Sequence, residues 1–413
     1  MATQSGESSS SAGRRAHYDV IVIGGGPVGQ AVAYHVSLRK AKTLVLEQFN
    51  FGNQLGSSAG VSRQFRIPYP EQYMVKLVKQ SVPFWEELQS RTPVPLRDKV
   101  GTLWFGDPEV HSTEGNIKQA ERALQAEDVP YTTLTAADLE REYFFRGLPS
   151  TYTGLFQADG ASINLQATLR TLLAWNRASS YVAMHDEAPV THVEWRDGAF
   201  QVRTPLGTFA AAKLVIAPGP FANGVFHLLD FGVAATYWNM ASAFYKKIRP
   251  DIRYPTWFVF QNPVGDNGNQ FYGFPEVDWN YPGYVRVASD FVIQPLASPE
   301  QRTLIPNPRE LGYTAAWVRD HMTGLDPVPH YTSTCLVALS KIANKELIID
   351  FAPAHVPHHE DIVVYATGWA GKFIPLMGRI LSDLALDGRT PFDISHFQLG
   401  HRFFHRIDKG NRE

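Results

Sequence analysis

The sequence has a single cysteine among its 413 residues, so no disulfide can form within the chain. Because disulfides persist mainly in oxidising compartments, this scarcity is consistent with a reducing cytoplasm, where we expect the protein to reside. The serine-rich start has no apolar core of the kind that a secretion signal requires. We interpret residues 1–16 as a disordered tail.

The sequence also lacks a long apolar segment and an excess of either charge. No uninterrupted apolar run approaches the ~20 residues that span a bilayer, so we expect no membrane partner. A formal net charge of −2 gives no electrostatic basis for binding nucleic acid. A hydrophobic content of 44% is ample for globular packing, and 413 residues exceed the usual size of one core. We therefore expect two domains.

A glycine-rich turn follows the first apolar run of the chain. Residues 24–29 (GGGPVG) lie between the apolar run 19–23 and the helix-compatible stretch 30–37, which is the order strand, tight turn, helix. The missing side chains let backbone N–H groups and a helix N-terminus approach a pyrophosphate. The next apolar strand, 43–46, ends in Glu47, whose carboxylate can accept hydrogen bonds from both hydroxyls of a ribose. The pattern predicts a dinucleotide site of unspecified kind; the alternative is a structural turn that binds nothing.

Periodicity and capping signals predict further helices and strands. We expect a helix over about 71–89 and a second helix capped by Asn164. Alternation over 193–212 predicts hairpin strands, and 214–217 is predicted to be a buried strand. Near the C-terminus a buried strand at 362–365 leads into a helix that we expect to end at Gly388.

The stretch 227–333 differs from its surroundings because it contains aromatic-rich, alternating segments. They lie at 256–260, 270–274 and 284–288, with Asn, Gly and Pro between them. This pattern predicts an antiparallel sheet, one face of which could wall a pocket. Dinucleotide-type segments therefore occur before and after a β-rich insert. That interleaving favours a flavoprotein over a nicotinamide dehydrogenase, whose nucleotide domain is commonly continuous.

Several short motifs occur together in an order that resembles the monomeric sarcosine oxidase family of amine oxidases. They are the 24–29 turn with Glu47, the Gly-Ser-Ser turn at 56–58, Arg63, Arg66, Tyr272, Cys335 and the Gly-Trp-Ala-Gly-Lys segment at 368–372. The resemblance extends over about residues 17–395. Within the family it is greatest to imino acid oxidases that act on piperideine-2-carboxylate.

The resemblance implies FAD that is bonded covalently, through its 8α-methyl carbon, to Cys335. Without the resemblance, a lone cysteine is an ordinary small core residue. The residues that the resemblance and the glycine turn assign to the cofactor are Gly24, Gly26, Pro27, Val28, Gly29, Glu47, Gln48, Ser57, Ser58, Arg63, Cys335, Gly368, Gly371 and Lys372.

The resemblance also implies a fold and a division into domains. We predict an α/β fold in which a Rossmann-like FAD-binding domain is interleaved with a mixed, largely antiparallel β-sheet substrate domain. The predicted FAD-binding segments are 17–92, 153–226 and 334–405, and the predicted substrate segments are 93–152 and 227–333.

Matched positions place a substrate carboxylate between two cations. The planar fork of Arg66 suits two carboxylate oxygens, and Lys372 is matched to a second cation in the same pocket. Trp369 corresponds to an aromatic residue on which a flat ring could stack, and Tyr272 matches a pocket residue. The alternatives are that both cations lie in surface ion pairs and that Trp369 is ordinary core packing.

Other positions depart from the sarcosine oxidases. Asp290 stands where those enzymes have histidine and Val337 where they have tyrosine, so both lean away from N-methylglycine as substrate. Arg286 falls where they place the lysine proposed to activate dioxygen; it keeps the charge but holds its proton more firmly. Glu114 matches a mobile acid near the relatives' pocket, although an isolated glutamate is by default solvated surface.

The resulting prediction is a monomeric FAD amine oxidase of natural-product biosynthesis that acts on a cyclic imino or secondary amino acid. Its partners would be that small molecule and dioxygen, its product would include hydrogen peroxide, and no metal is expected. Three alternatives stay open: an oxidase of sarcosine or another N-alkyl amino acid, an FAD monooxygenase supplied by NADPH, and a flavoprotein that does not turn over.

Overall fold

The protein is described here by a computed structural model of residues 17–112, 114–341, 347–398 and 404–406. The tail predicted for residues 1–16 lies outside these ranges, as do 342–346 and 399–403 of the last predicted FAD-binding segment. Among the described residues, no helix combines the length and the apolar character needed to cross a membrane.

The described chain forms helices and strands throughout its length. The α-helices are α1 (Pro27–Leu38), α2 (Gln72–Ser90), α3 (Ile117–Ala126), α4 (Ala136–Tyr143), α5 (Leu165–Ala178), α6 (Ala222–Phe226), α7 (Pro308–His321) and α8 (Ile374–Asp387). Short 3-10 helices lie at Gly219–Phe221, His227–Leu229, Pro299–Gln301, His359–Asp361, Ala370–Phe373 and Ser395–Phe397. The strands are β1 (His17–Ile23), β2 (Thr43–Leu46), β3 (Ser62–Phe65), β4 (Arg97–Lys99), β5 (Thr102–Gly106), β6 (Thr132–Thr135), β7 (Thr153–Gln157), β8 (Ala161–Asn164), β9 (Val182–His185), β10 (His192–Arg196), β11 (Ala199–Thr204), β12 (Gly207–Ile216), β13 (Phe231–Val233), β14 (Ala235–Lys247), β15 (Thr256–Phe260), β16 (Phe271–Phe274), β17 (Tyr284–Ser289), β18 (Leu325–Ser340), β19 (Ile348–Phe351), β20 (Ile362–Ala366) and β21 (Phe404–Arg406).

The first sheet has a parallel centre in the order β9-β2-β1-β12-β20. Its middle strands are almost fully buried on both faces, which is typical of a parallel sheet covered by helices. The hairpin return predicted within 193–212 and the buried strand predicted at 214–217 are one strand, β12. Along one edge, the first half of β12 pairs with β11 and the second half with β20. Along the other edge, β1 pairs with β12 from Ala210 to Ile216, across the junction of the two halves, which keeps them one strand.

The helices on this sheet begin and end as their sequences predict. The Asn164 side chain accepts a hydrogen bond from the Ala167 N–H at 3.0 Å, which caps α5. Helix α8 ends at Gly388, whose φ of +70° directs its N–H back to the Leu384 carbonyl. Helices α1 and α8 lie so close that a Cβ on Gly378 would be 2.5 Å from the Ala31 backbone. The predicted caps at Asn164 and Gly388 are confirmed.

The second sheet has the order β18-β14-β17-β16-β15-β5-β7-β6 and contains the three predicted aromatic strands. It is antiparallel except where β15 pairs in parallel with β5. The predicted α/β fold with a mixed, largely antiparallel second sheet is therefore confirmed. Strand β7 lies in the predicted FAD-binding segment 153–226, and the predicted boundary at 334 falls within β18. The FAD-binding segments 153–226 and 334–405 therefore both contribute strands to the second sheet. The division into domains stays a prediction.

A small third sheet, β3-β8-β4, carries the first arginines of the site. Strand β3 follows the Gly-Ser-Ser turn and contains Arg63, with Arg66 just past its end. The Arg286 side chain of the second sheet donates to the Ser62 carbonyl of β3 at 3.1 Å. The third sheet therefore adjoins the second sheet at the site.

Candidate active site

A cavity of about 450 Å³ extends from the carboxyl ends of the parallel strands to one face of the second sheet. Every residue assigned to the site from the sequence lines this cavity except Gly29. Strands β1, β2, β12 and β20 of the first sheet all end at the cavity. Such an edge is where ligands bind in open α/β sheets. The structure thus brings the predicted residues together, while their individual roles stay predictions.

The glycine turn is shaped by close backbone approaches. A Cβ on Gly24, whose φ is +113°, would lie 2.4 Å from the Ala217 oxygen, and one on Gly29 would lie 1.9 Å from the Gly24 oxygen. Gly29 therefore lies behind the turn and packs it. Gly26 is the N-cap of α1 and has no side-chain capping bond, and Pro27 occupies the first turn. The first amides of α1 are consequently available to an anion in the cavity.

Glu47 both shapes the turn and faces the cavity. One of its carboxylate oxygens accepts from the Gly25 N–H at 2.8 Å and the other from the Phe49 N–H at 2.9 Å. Burial raises the pKa of this carboxyl, and these backbone donors oppose the shift. Because a carboxylate oxygen has two lone pairs, each can accept one further hydrogen bond, as a ribose with two hydroxyls requires.

Thr367 has a backbone conformation and a hydroxyl that the rest of the described chain does not explain. Its φ is +58°, which is unusual for a β-branched residue, and its Oγ1 is buried without a partner among the described residues. It lies on the cavity at the end of β20. An orphaned hydroxyl, an open helix N-terminus and a glycine cradle together fit a dinucleotide such as FAD.

Cys335 lies on the face of β18 that meets the cavity. Its Sγ is 3.1 Å from Nη2 of Arg63 and 3.4 Å from the Ser57 carbonyl oxygen. The Ser57 hydroxyl donates to the Leu336 carbonyl at 2.7 Å, which joins the Gly-Ser-Ser turn to β18. The only cysteine of the chain therefore lies against a guanidinium within the predicted cofactor site.

Arg66 is buried, with 5% of its surface exposed, so it does not belong to a surface ion pair. It forms an ion pair with Glu114, which is also buried and so is not a solvated glutamate. Arg66 also donates to the Pro68 carbonyl at 2.9 Å, and its guanidinium lies 4.1 Å from the ring centre of Tyr69. The aromatic ring and the ion pair fix the guanidinium at the cavity wall.

Lys372 is the second buried cation of this end of the cavity. Its Nζ donates to the Tyr69 hydroxyl and, at 3.2 Å, to the Trp369 carbonyl. Its own carbonyl accepts from Nε1 of Trp85 at 2.7 Å. Tyr69 therefore contacts both cations, through its ring face on Arg66 and its hydroxyl on Lys372.

Strands β16 and β17 add aromatic residues and a further cation to the cavity lining. Arg286 lies 4.7 Å from the ring centre of Phe274, and burial lowers the pKa of its guanidinium. Burial raises the pKa of Tyr272 to about 12, so its phenol is neutral at physiological pH. Asp290 follows β17, is buried, and donates its N–H to the Gln270 carbonyl at 2.8 Å. Trp369 is half-buried and packs in the apolar cluster that contains Cys335.

Three positions at or next to the cavity carry no signal in the sequence. Tyr69 is one of 17 tyrosines, and its contact with two cations depends on the fold. The strain at Thr367 is a positive φ, which is seen only in the backbone of the folded chain. Gln64 lies on β3 between Arg63 and Arg66 and lines the cavity. Among the described residues, no group of three or more His, Cys, Asp and Glu side chains is placed to hold a metal ion.

Comparisons with known proteins agree on one family. The family model described as DAO, FAD dependent oxidoreductase, matches residues 19–384. The solved structure of NikD, an unusual amino acid oxidase essential for nikkomycin biosynthesis, has a TM-score of 0.87 and 37% identity, covering 93% of this chain and 98% of that chain. Monomeric sarcosine oxidase from Streptomyces avermitilis is 30% identical, over 92% of this chain and 96% of its own length.

A further relative is longer. A putative bifunctional amine oxidase from Dictyostelium discoideum is 33% identical over 92% of this chain. The match covers 37% of that protein, so this chain corresponds to little more than a third of its length.

Proposed function

Because this chain belongs to the DAO family of FAD-dependent oxidoreductases, we propose that it oxidises a cyclic imino or secondary amino acid with dioxygen as acceptor. Hydrogen peroxide would be the second product. The observation that carries the proposal is the pair of buried cations, Arg66 and Lys372, both in contact with Tyr69 at an aromatic end of the cavity. Two cations and a flat apolar wall suit a carboxylate attached to a ring.

The carboxylate would bind at Arg66 and Lys372. Arg66 now pairs with Glu114, so a substrate carboxylate would replace or share that acid on the guanidinium fork. Removing one partner of a buried charge pair costs on the order of 3–5 kcal/mol. A substrate that supplies a carboxylate is therefore much better matched to this end than a simple amine.

The ring would lie among Trp369, Tyr272 and Val337, which share one apolar cluster. An amine must be uncharged before the carbon beside it can lose a hydride, and burial of an amine lowers its pKa. FAD held in the cavity would supply the hydride acceptor and the route by which electrons reach dioxygen. Arg286, beside Tyr272, would provide positive charge where dioxygen is reduced.

Cys335 would form a thioether to the 8α-methyl carbon of the flavin; the S–H and one methyl C–H bond would break, two protons would leave, and the two electrons released would pass to dioxygen, the acceptor of the proposed reaction. The place of Cys335 on the cavity and the Arg63 guanidinium 3.1 Å away support this assignment. Acid precipitation of the purified protein should leave yellow flavin in the pellet, and Cys335→Ser should release it into the supernatant. A colourless wild-type pellet from a protein that was yellow before precipitation would contradict the covalent bond.

The experiment that tests the proposal is a substrate panel with oxygen and peroxide detection and no nicotinamide present. We expect piperideine-2-carboxylate or pipecolate to be oxidised faster than sarcosine, because Asp290 and Val337 replace the sarcosine oxidase residues. Turnover only with N-methyl amino acids would support the alternative oxidase. Oxygen consumption that appears only after NADPH is added would instead indicate a monooxygenase. Flavin that no amine bleaches under anaerobic conditions would indicate a protein that does not turn over.

The similarity to NikD, whose described role is in nikkomycin biosynthesis, supports a role for this chain in natural-product biosynthesis. Such a role requires a preceding reaction that supplies a cyclic amino or imino acid.

A further inference from the structure

Gln64 lies on β3 between Arg63 and Arg66 and lines the substrate end of the cavity. Its Nε2 donates to the Trp257 carbonyl at 3.1 Å and to the Gly273 carbonyl at 3.0 Å. Because carbonyl oxygens can only accept, these two contacts fix which end of the amide is nitrogen. The amide nitrogen therefore faces the second sheet and the amide oxygen faces away from it.

The Oε1 of Gln64 accepts no hydrogen bond from any residue that the structure describes. This oxygen is not fully buried, so it is open to the cavity that Gln64 lines. A fixed amide whose two donors are already used offers the cavity an acceptor and no donor. A ligand group that meets this oxygen must therefore be a donor.

The position of Gln64 relative to Arg66 suggests which donor this is. The two residues are two positions apart on an extended segment, which corresponds to roughly 6–7 Å of backbone. In an α-amino or imino acid the nitrogen is separated from the carboxylate by a single carbon. A carboxylate on Arg66 can therefore leave the nitrogen within reach of an acceptor on the same wall.

We propose that Gln64 determines substrate specificity by accepting a hydrogen bond from the N–H of the substrate nitrogen. The assignment rests on the proposed amino acid oxidation and adds that the substrate reacts in a form that keeps an N–H when uncharged, namely a secondary amine or the enamine tautomer of a cyclic imino acid. As the hydride and its two electrons leave the neighbouring carbon for the flavin, the nitrogen lone pair forms the C=N bond. The nitrogen gains positive charge and its N–H becomes a stronger donor, so the bond to Gln64 strengthens in the transition state. Tertiary amines lack this donor.

Two ligands that resist oxidation test this inference. Pyrrole-2-carboxylate has a ring N–H beside its carboxylate, and furan-2-carboxylate has at that place an oxygen that cannot donate. Dissociation constants for both are measured on the flavin-loaded enzyme by the change in flavin absorbance. The wild type should bind the pyrrole about tenfold more tightly, the effect of one hydrogen bond. Gln64→Met, similar in size but without the amide, should bring the ratio near one.

Several outcomes would overturn the inference. Equal binding of the two acids by the wild type would refute the role of Gln64 and leave the carboxylate site in place; this result does not depend on whether a variant folds. An unchanged preference in Gln64→Met would also refute it, and a shifted ligand-free flavin spectrum in that variant would then assign Gln64 to the cofactor. Binding of neither acid would refute the proposed carboxylate site together with this inference.

Discussion

The two ends of the cavity are built in different ways. The glycine end is made by backbone from one short segment, where Gly24, Gly29 and the start of α1 are neighbours in sequence. The cation end is made by side chains from positions as far apart as Arg66 and Lys372, held through Tyr69. A backbone site can bind the same group in many proteins, whereas a side-chain site can change its ligand by a few substitutions. We therefore expect changes at the glycine end to affect mainly the cofactor and changes at Arg66 to affect mainly the substrate.

The largest effect should come from filling the glycine end. In Gly29→Ala the new Cβ would lie 1.9 Å from the Gly24 oxygen, so the turn must shift. We expect most flavin to be lost and the free energy of unfolding to fall by about 3 kcal/mol or more. Absorbance of the purified protein at flavin and protein wavelengths, with thermal melting, measures both quantities.

Gly312→Ala is the matched control for that prediction. Gly312 lies in α7 with nothing within 4 Å of a built Cβ. The same substitution should there keep flavin content and raise stability by up to about 1 kcal/mol. If Gly29→Ala behaved like this control, the turn would be more tolerant than its geometry indicates.

At the cation end, Arg66→Ala should slow turnover at least about a hundredfold while flavin remains bound. The substrate carboxylate would lose its fork, and Glu114 would lose its buried partner. The measurement is kcat/KM together with flavin content.

Arg97→Ala serves as the comparison, because Arg97 also stacks on aromatic rings but does not line the cavity. It should lower stability and leave kcat/KM nearly unchanged. Near-normal turnover of Arg66→Ala would contradict the carboxylate assignment.

A smaller effect should follow from Tyr69→Phe, which removes the hydroxyl that Lys372 donates to and keeps the ring under Arg66. We expect KM to rise about tenfold with a smaller change in kcat, the effect of one charge-assisted hydrogen bond. Tyr245→Phe is the control, since the buried Tyr245 hydroxyl has no partner among the described residues. Equal kinetics for the two variants would show that Tyr69 does not position Lys372.

The smallest effect concerns mild acid, which should weaken the core behind the glycine end. Burial lowers the pKa of His35 in α1 from its usual 6.5 to about 4; Glu87 opposes the shift, while Arg379 and Arg91 favour it. Because the pKa of His35 is lower in the folded than in the unfolded protein, its contribution to the free energy of unfolding is complete above pH 6.5. That contribution is lost as the pH falls towards 4. From pH 7 to 6 the loss is about 0.7 kcal/mol.

Urea titrations at pH 7 and 6 measure that loss. His35→Gln should reduce it because an amide does not titrate in this range, and the amide can still donate to the Pro375 carbonyl. Tyr272 at the other end is neutral across this range, so Tyr272→Phe should not change the acid sensitivity. Equal pH dependence of wild type and His35→Gln would rule out His35 as the titrating group.

The outcomes of the sequence predictions follow the same division. The glycine turn, the caps at Asn164 and Gly388 and the three aromatic strands depend on neighbouring residues, and the structure confirms them. The parallel pairing of β15 with β5 joins segments about 150 residues apart, and no local pattern encodes that register. The merging of two predicted strands into β12 likewise depended on a neighbour, β1, from the start of the chain.

Within the site, the sequence by itself determined the chemical groups that are present: a glycine turn, an acid at the end of the second strand, one thiol and several cations. A turn is decided by the backbone of consecutive residues, so its function can be predicted locally. Only the tertiary structure decided that Cys335 lies 3.1 Å from Arg63, that Tyr69 contacts both Arg66 and Lys372, and that Gln64 offers the cavity an acceptor alone. These properties depend on which side chains become neighbours and which polar atoms keep an unused lone pair, and both are fixed only when distant segments pack together.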